Sequence, residues 1–122
     1  MNMNVTMLKS KIHRATVTDA DLDYEGSISI DPELIQAAGF LLNERVDVYN
    51  INNGARFSTY VIKGKPGEIC LNGSAARHVM KKDRVIICAY ASMSEADGRK
   101  HEPTVVLVDE TNGIKKITAP ER

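Results

Sequence analysis

The spacing of the turn signals constrains this chain most. Asn53-Gly54, Gly64-Lys65-Pro66-Gly67, Asn72-Gly73, Asp97-Gly98 and Asn112-Gly113 cut it into short pieces. The pieces between them are β-branched or apolar: Ile12, Val17, Ile28, Ile30, Val46, Val48, Ile51, Val61, Ile62, Ile69, Leu71, Val85 to Ile87, and Val105 to Val108. Many short strands at such intervals predict a mainly β fold, with a small barrel favoured. One helix is punctuated clearly. Asp31 can cap it, Pro32 suits its first turn, Leu34 and Ile35 give it an apolar side, and Gly39 can end it. A second short helix is expected from Ser74, with Ala75, Ala76 and Val79 available for packing, and the tail after Thr111 is expected to fray.

Composition narrows the class. At 122 residues, 43% of them hydrophobic, the chain is expected to form one domain, residues 1–122, with a self-standing core. Sixteen basic and sixteen acidic side chains leave no net charge, so broad binding to nucleic acid or to acidic membrane has little support and a small partner is favoured. The stretch Met1 to Thr6 is polar, and no targeting segment is expected there. The longest apolar run, Val85 to Ala91, is far short of the roughly 20 residues that span a bilayer. Cytoplasmic residence is the expectation. Cys70 and Cys88 read as small core residues of a reduced protein, with their pairing left open.

Two segments carry chemical interest. In a strand leaving the Asn53-Gly54 turn, Arg56, Ser58 and Tyr60 project from one face. Arg56 can grip a carboxylate through two parallel N–H bonds, and the Tyr60 phenol can donate a proton to a developing carbanion. A surface arginine beside a strand tyrosine is the plainer reading of the same residues. The second segment is Tyr24-Glu25-Gly26-Ser27. A serine after an unhindered glycine can attack the glycine carbonyl and turn the amide into an ester, and elimination across Ser27 then breaks the chain. Gly73-Ser74 supplies the same dipeptide, and a simple turn explains either.

Other constellations fail. Asp19, Asp21 and Asp23 begin like a calcium loop, but Tyr24 and Ile30 stand where it needs Gly and Glu, so a solvated acidic loop is expected. His13, His78 and His101 are scattered and form no zinc spacing with the cysteines, and no metal is required. There is no phosphate-binding loop, dinucleotide turn or nucleophile elbow. The basic clusters Lys9, Lys11, Arg14 and Lys81, Lys82, Arg84 read as wet faces.

The ordered series Met7 to Thr18, Ala20-Asp21-Leu22, Tyr24 to Ser27, Asn53-Gly54, Arg56 to Tyr60 and Asn72 to Arg77 closely resembles the pyruvoyl-dependent aspartate 1-decarboxylase family, over most of the chain to about Ala91. The resemblance implies a six-stranded double-psi β-barrel with short helices, assembled as a homotetramer with active sites between neighbouring subunits. It implies cleavage at Gly26-Ser27 into a β chain of residues 1–26 and an α chain of residues 27–122. Position 27 then carries a covalently bound pyruvoyl group made from the serine. Such a carbonyl forms an imine with the substrate amine and accepts the electrons released with carbon dioxide. The implied reaction turns L-aspartate into β-alanine, a precursor of pantothenate.

Residue roles follow from the matched motifs. Arg56 resembles the substrate-carboxylate ligand and is expected on the side-chain carboxylate, because a tight cation on the departing group would oppose its loss as neutral carbon dioxide. Tyr60 resembles the proton donor, and Lys11 a second cationic contact. Asn72, Gly73, Ser74 and Ala75 match the substrate-binding turn. Thr59 and Asn72 resemble the groups that position the cleavage-site and pyruvoyl carbonyls. Strict alternation sends Thr59 away from Arg56 and Tyr60, so a bulge, a twist or a neighbouring subunit must reconcile them. His13, Tyr24 and Tyr49 are weaker pocket residues, with Tyr49 standing where the family often has tryptophan. An accessory maturation protein is left open. A small barrel or swapped-hairpin DNA-binding protein, and a pyruvoyl decarboxylase for another amino acid, are the competing readings.

Overall fold

The computed structural model describes residues 3–119. Strands β1 (Asn4–Thr16), β2 (Asp19–Asp21) and β3 (Ser27–Ile30) lead into helix α1 (Pro32–Ala38). Next come β4 (Arg45–Asn50), β5 (Arg56–Lys63), β6 (Ile69–Asn72), a 3-10 helix (Gly73–His78) and β7 (Arg84–Ser94). Helix α2 (Glu95–Lys100), β8 (Thr104–Val108) and β9 (Ile114–Thr118) complete the described part. The expectation of a mainly β fold holds. Nine strands form among the described residues instead of six, in the order β2-β6-β3-β5-β4-β7-β1-β8-β9. Parallel pairs β2–β6, β3–β5 and β1–β8 are set among antiparallel ones.

One apolar cluster joins both ends of that order, taking Ile69 and Leu71 from β6 and Val106 and Val108 from β8. Helix α1 leaves β3 and packs on β1 and β8. Asn112, just before β9, fastens the curl: its side chain accepts from Thr16 N at 2.7 Å and donates to Thr16 O at 2.9 Å and to Gly67 O at 3.0 Å. The sheet is therefore folded over its inner face, where Ile12, Val48, Val61, Leu71 and Ile87 are fully buried.

Local chemistry explains most elements. Asp31 accepts from Glu33 N at 2.8 Å at the start of α1, and Gly39 closes it with φ +71°. Gly54 (φ +75°) makes the β4–β5 hairpin turn, and Asn112 (φ +65°) sits in the turn between β8 and β9. The tail thus continues as an exposed edge strand where fraying was expected. Asp97-Gly98 is a misread turn. Ser94 caps α2 by accepting from Asp97 N at 3.1 Å, and Gly98 is buried where an added Cβ would stand 3.1 Å from Val5 Cγ2. Glycine there permits close packing of α2 on β1.

Strand β1 carries two irregularities against β7, one at Lys9 and one where His13 and Arg14 oppose Ile86, with Arg14 at φ +67°. The second keeps Ile12 and Ala15, three residues apart, on the same buried face while Lys11 stays on the outer one.

Candidate active site

Alternation on β3, β4, β5 and β7 assembles the site on the face of the sheet away from the core. Tyr49 pairs with Arg56, Asp47 with Ser58 and Arg45 with Tyr60, while the inner-face pairs are Val48 with Phe57 and Val46 with Thr59. Arg56, Ser58 and Tyr60 therefore share the outer face, as their spacing predicts. Thr59 is half-buried on the other side. The β4–β5 register is unbroken, so no bulge brings Thr59 round.

Arg56 lies with its guanidinium carbon 4.0 Å from the centre of the Tyr49 ring, a cation stacked on an aromatic face. The Tyr49 and Tyr90 hydroxyls are 2.7 Å apart. That bond, followed by burial, holds the Tyr90 phenol above its ordinary pKa. A groove of about 250 Å3, lined by Arg45, Asp47, Tyr49, Arg56, Phe57 and Ser58, runs along this surface. Nothing in the residue pattern pointed to Tyr90. It enters because β7 lies beside β4: Asp47 is level with Cys88, so Tyr90 falls two residues on along the same face and its hydroxyl meets that of Tyr49.

Ser27 begins β3 and is buried. The parallel pairing Ile28 with Val61 and Ser29 with Ile62, carried one residue back, sets Ser27 level with Tyr60 at the usual strand spacing of about 5 Å. Across the antiparallel neighbour, Ser27 faces Asn72. Asn72 Nδ2 donates to Ser27 Oγ at 2.9 Å, and Ser27 Oγ donates to Glu25 O at 3.2 Å.

Gly73 has φ +66°, and an added Cβ would lie 2.6 Å from both Gly26 Cα and Gly26 N. Residue 73 has no side chain because the Gly26 backbone occupies that space. Around Gly26 itself, nothing lies within 4 Å of where a Cβ would stand, so crowding does not explain that glycine. The pair 72–73 thus closes on the pair 26–27, although 45 residues separate Ser27 from Asn72. The donor set suits a ketone at position 27. A ketone oxygen only accepts hydrogen bonds, and Asn72 presents a donor there.

The remaining candidates disperse. Lys11 is level with Cys88, which is level with Asp47, itself level with Ser58. Three strand spacings, about 14 Å, separate Lys11 from Ser58. His13 is level with Leu107 on β8 and lines a different hollow with Arg14 and Arg84. Its Nδ1 is buried without a partner, and burial, then Lys11, Arg14 and Arg84, holds the ring below its ordinary pKa. Tyr24 is exposed, Ser74 is exposed at the start of the 3-10 helix, and Ala75 is buried within it. Both cysteines are free and buried. No helix among the described residues is long and apolar enough to cross a membrane.

This mainly β domain buries Ser27 behind the exposed Gly26, next to a face that holds Tyr60 and, stacked on Tyr49, an arginine able to take a carboxylate. Residues 3–115 match the family model described as aspartate decarboxylase. The chain is 64% identical over 120 residues to an aspartate 1-decarboxylase of Bdellovibrio bacteriovorus, an alignment covering 98% of this chain and 97% of that protein. It is 59% identical to one of Clostridium beijerinckii, covering 95% of each, and 56% identical to one of Aliarcobacter butzleri, covering 95% of this chain and 93% of the relative. The chain belongs to the aspartate decarboxylase family.

Proposed function

We propose that this enzyme decarboxylates L-aspartate to β-alanine and carbon dioxide with a pyruvoyl group that it makes from Ser27, supplying pantothenate synthesis in the cytoplasm. The observation that carries the reading is the closure of Asn72-Gly73 on Gly26-Ser27, with Asn72 donating to Ser27 Oγ at 2.9 Å.

Maturation starts as Ser27 Oγ attacks the Gly26 carbonyl. The Oγ–C bond forms, the amide C–N bond breaks and the hydroxyl proton passes to the freed nitrogen. Elimination then removes the α-proton of residue 27, breaks Cβ–Oγ and releases Gly26 as a carboxylate ending chain 1–26. The enamine left on chain 27–122 takes up water and loses ammonia, leaving a ketone. An accessory protein is compatible with this sequence of steps, which needs only water as co-reactant.

The ketone serves as the electron sink for decarboxylation. Arg56, held over the Tyr49 ring, binds the side-chain carboxylate and leaves the departing carboxylate without a tight cation. Tyr60 shares that face and lies level with residue 27, so its hydroxyl supplies the proton to the former α-carbon. Asn72 orients the carbonyl oxygen at position 27, and Gly73, Ser74 and Ala75 follow it along the substrate turn. Thr59 assists at the cleavage-site carbonyl by way of strand twist or a neighbouring subunit.

Lys11, three strands from Ser58 in one chain, acts in a site shared between subunits of a homotetramer, with His13 and Tyr24 at its wall. Exposed Leu41 (70%), Met80 (73%) and Tyr24 (56%) are apolar surface suited to such assembly. The finer topology belongs to the same reading: a double-psi barrel is supported by parallel pairs β1–β8 and β3–β5 and by one core shared across the folded sheet.

Intact mass under denaturing conditions, together with carbon dioxide release from aspartate or glutamate, tests the proposal. Two chains cut after Gly26, aspartate-dependent release and an uncut Ser27→Ala variant are expected. A Ser27→Ala variant that is cut normally refutes the cleavage role, and fully active uncut protein refutes the cofactor.

A further inference from the structure

An asparagine side chain has two ends of nearly equal shape and opposite hydrogen-bonding sense, so the group that meets one end decides what the other presents. Asn72 spends its two amide protons on serine hydroxyls, Ser27 Oγ at 2.9 Å and Ser29 Oγ at 3.0 Å. Its amide oxygen accepts from Cys70 Sγ at 3.3 Å. All four side chains are buried, and the β3–β6 register sets Ser27 opposite Asn72 and Ser29 opposite Cys70. Turning the amide over would aim its NH2 at sulfur, a weak acceptor, and give the oxygen to the two hydroxyls. Burial, with Glu68 next in weight, pushes the Cys70 thiol up to about 11, which keeps it a donor.

We propose that Cys70 and Ser29 are positioning residues for self-cleavage, locking the Asn72 amide with its N–H aimed at Ser27 Oγ. The proposal rests on Ser27 being the cleavage nucleophile. The aim matters most at the elimination. As the α-proton of residue 27 passes to water and Cβ–Oγ breaks, the bonding pair stays on Oγ, which leaves within the new Gly26 carboxylate. A fixed N–H at Oγ stabilises that growing charge, whereas an amide oxygen there would repel it. Ser29 contributes by taking the second amide proton, which would otherwise be buried unpaired.

The test follows first-order conversion of the full-length precursor to chains 1–26 and 27–122, made by cell-free synthesis and read by intact mass, with a thermal melt of each variant. Cys70→Ala is expected to slow conversion about 5- to 10-fold. Cys70→Ser, whose hydroxyl can donate to the same amide oxygen, should return it to within about 2-fold of the original. In an Asn72→Ala background neither Cys70→Ala nor Ser29→Ala should slow conversion further, since the residues act through Asn72.

Conversion of Cys70→Ala at the original rate overturns the proposal. So does equal slowing with and without Asn72, or a Cys70→Ser variant as slow as the alanine one. Ser29→Ala carries the same expectations if Cys70→Ala does not fold. Ser27→Ala in the same series separates the two readings. Cutting that persists there refutes the nucleophile, while cutting lost there and unchanged in Cys70→Ala refutes only the positioning role.

Discussion

Replacing Gly73 with alanine asks whether the Asn72-Gly73 turn is built around the cleavage site. Two costs arise. At φ +66° an L side chain meets its own backbone, which costs about 1–2 kcal/mol. The new methyl would also stand 2.6 Å from Gly26 Cα and N. Those are backbone atoms, so the neighbour yields only if residues 24–26 shift, an overpacking cost of about 1–3 kcal/mol. Taken together the loss is about 2–5 kcal/mol.

Gly39→Ala is the matched control. Its φ is +71° and no atom lies within 4 Å of the added carbon, so it meets the first cost without the second. For a chain of 122 residues the unfolding entropy is about 0.25 kcal/mol/K, so each kcal/mol moves Tm by about 4 °C. Gly39→Ala should lower Tm by about 4–8 °C, and Gly73→Ala by about 8–20 °C. Gly73→Ala should also slow cutting at Gly26-Ser27, because the segment that must move carries the scissile carbonyl. Calorimetry and intact mass read both effects. Equal Tm losses in the two variants, with normal cutting in Gly73→Ala, would refute the close approach of residue 73 to Gly26.

On fully processed protein, Arg56→Ala should raise KM for aspartate at least about 10-fold, while Tyr60→Phe should lower kcat about 100-fold. Steady-state kinetics in which neither parameter moves would reject both roles. His13 gives a pH effect of defined sign. Its folded pKa lies below the ordinary 6.5, so below about pH 6.5 the unfolded chain binds the proton more readily than the fold does. Stability should be full above that point and fall as pH drops toward the folded value. His13→Gln should flatten the fall in a series of thermal melts, and an unchanged slope would show that the ring is not responsible.

Local signals made some elements legible in the sequence. Asp31, Pro32 and Gly39 specify α1 because caps act within one turn, and Asn53-Gly54 specifies its hairpin for the same reason. Asp97-Gly98 misled because the dipeptide suits a turn as readily as a helix held close to Val5, and only the position of β1 decides between them. The bulges in β1 left no trace in the residue pattern, since strand partners decide where an extra residue is absorbed.

The candidate site divides along the same line. Period-two alternation put Arg56, Ser58 and Tyr60 on one face and Thr59 on the other, which needs no knowledge of neighbouring strands. The meeting of Ser27 with Asn72 depends on β6 returning beside β3, and no local preference encodes that register. Motif resemblance implied that Asn72 serves the carbonyls at the cleavage site, and the strand register shows how the two residues meet. Cys70 shows the consequence. Its apolar surroundings read as core, and it is buried, yet its thiol reaches Asn72, the partner of Ser27, because alternation on β6 sends residues 70 and 72 to the same side. A buried cysteine two positions from a buried asparagine on a paired strand is therefore a candidate for orienting its amide, and the strand register determines whether it can.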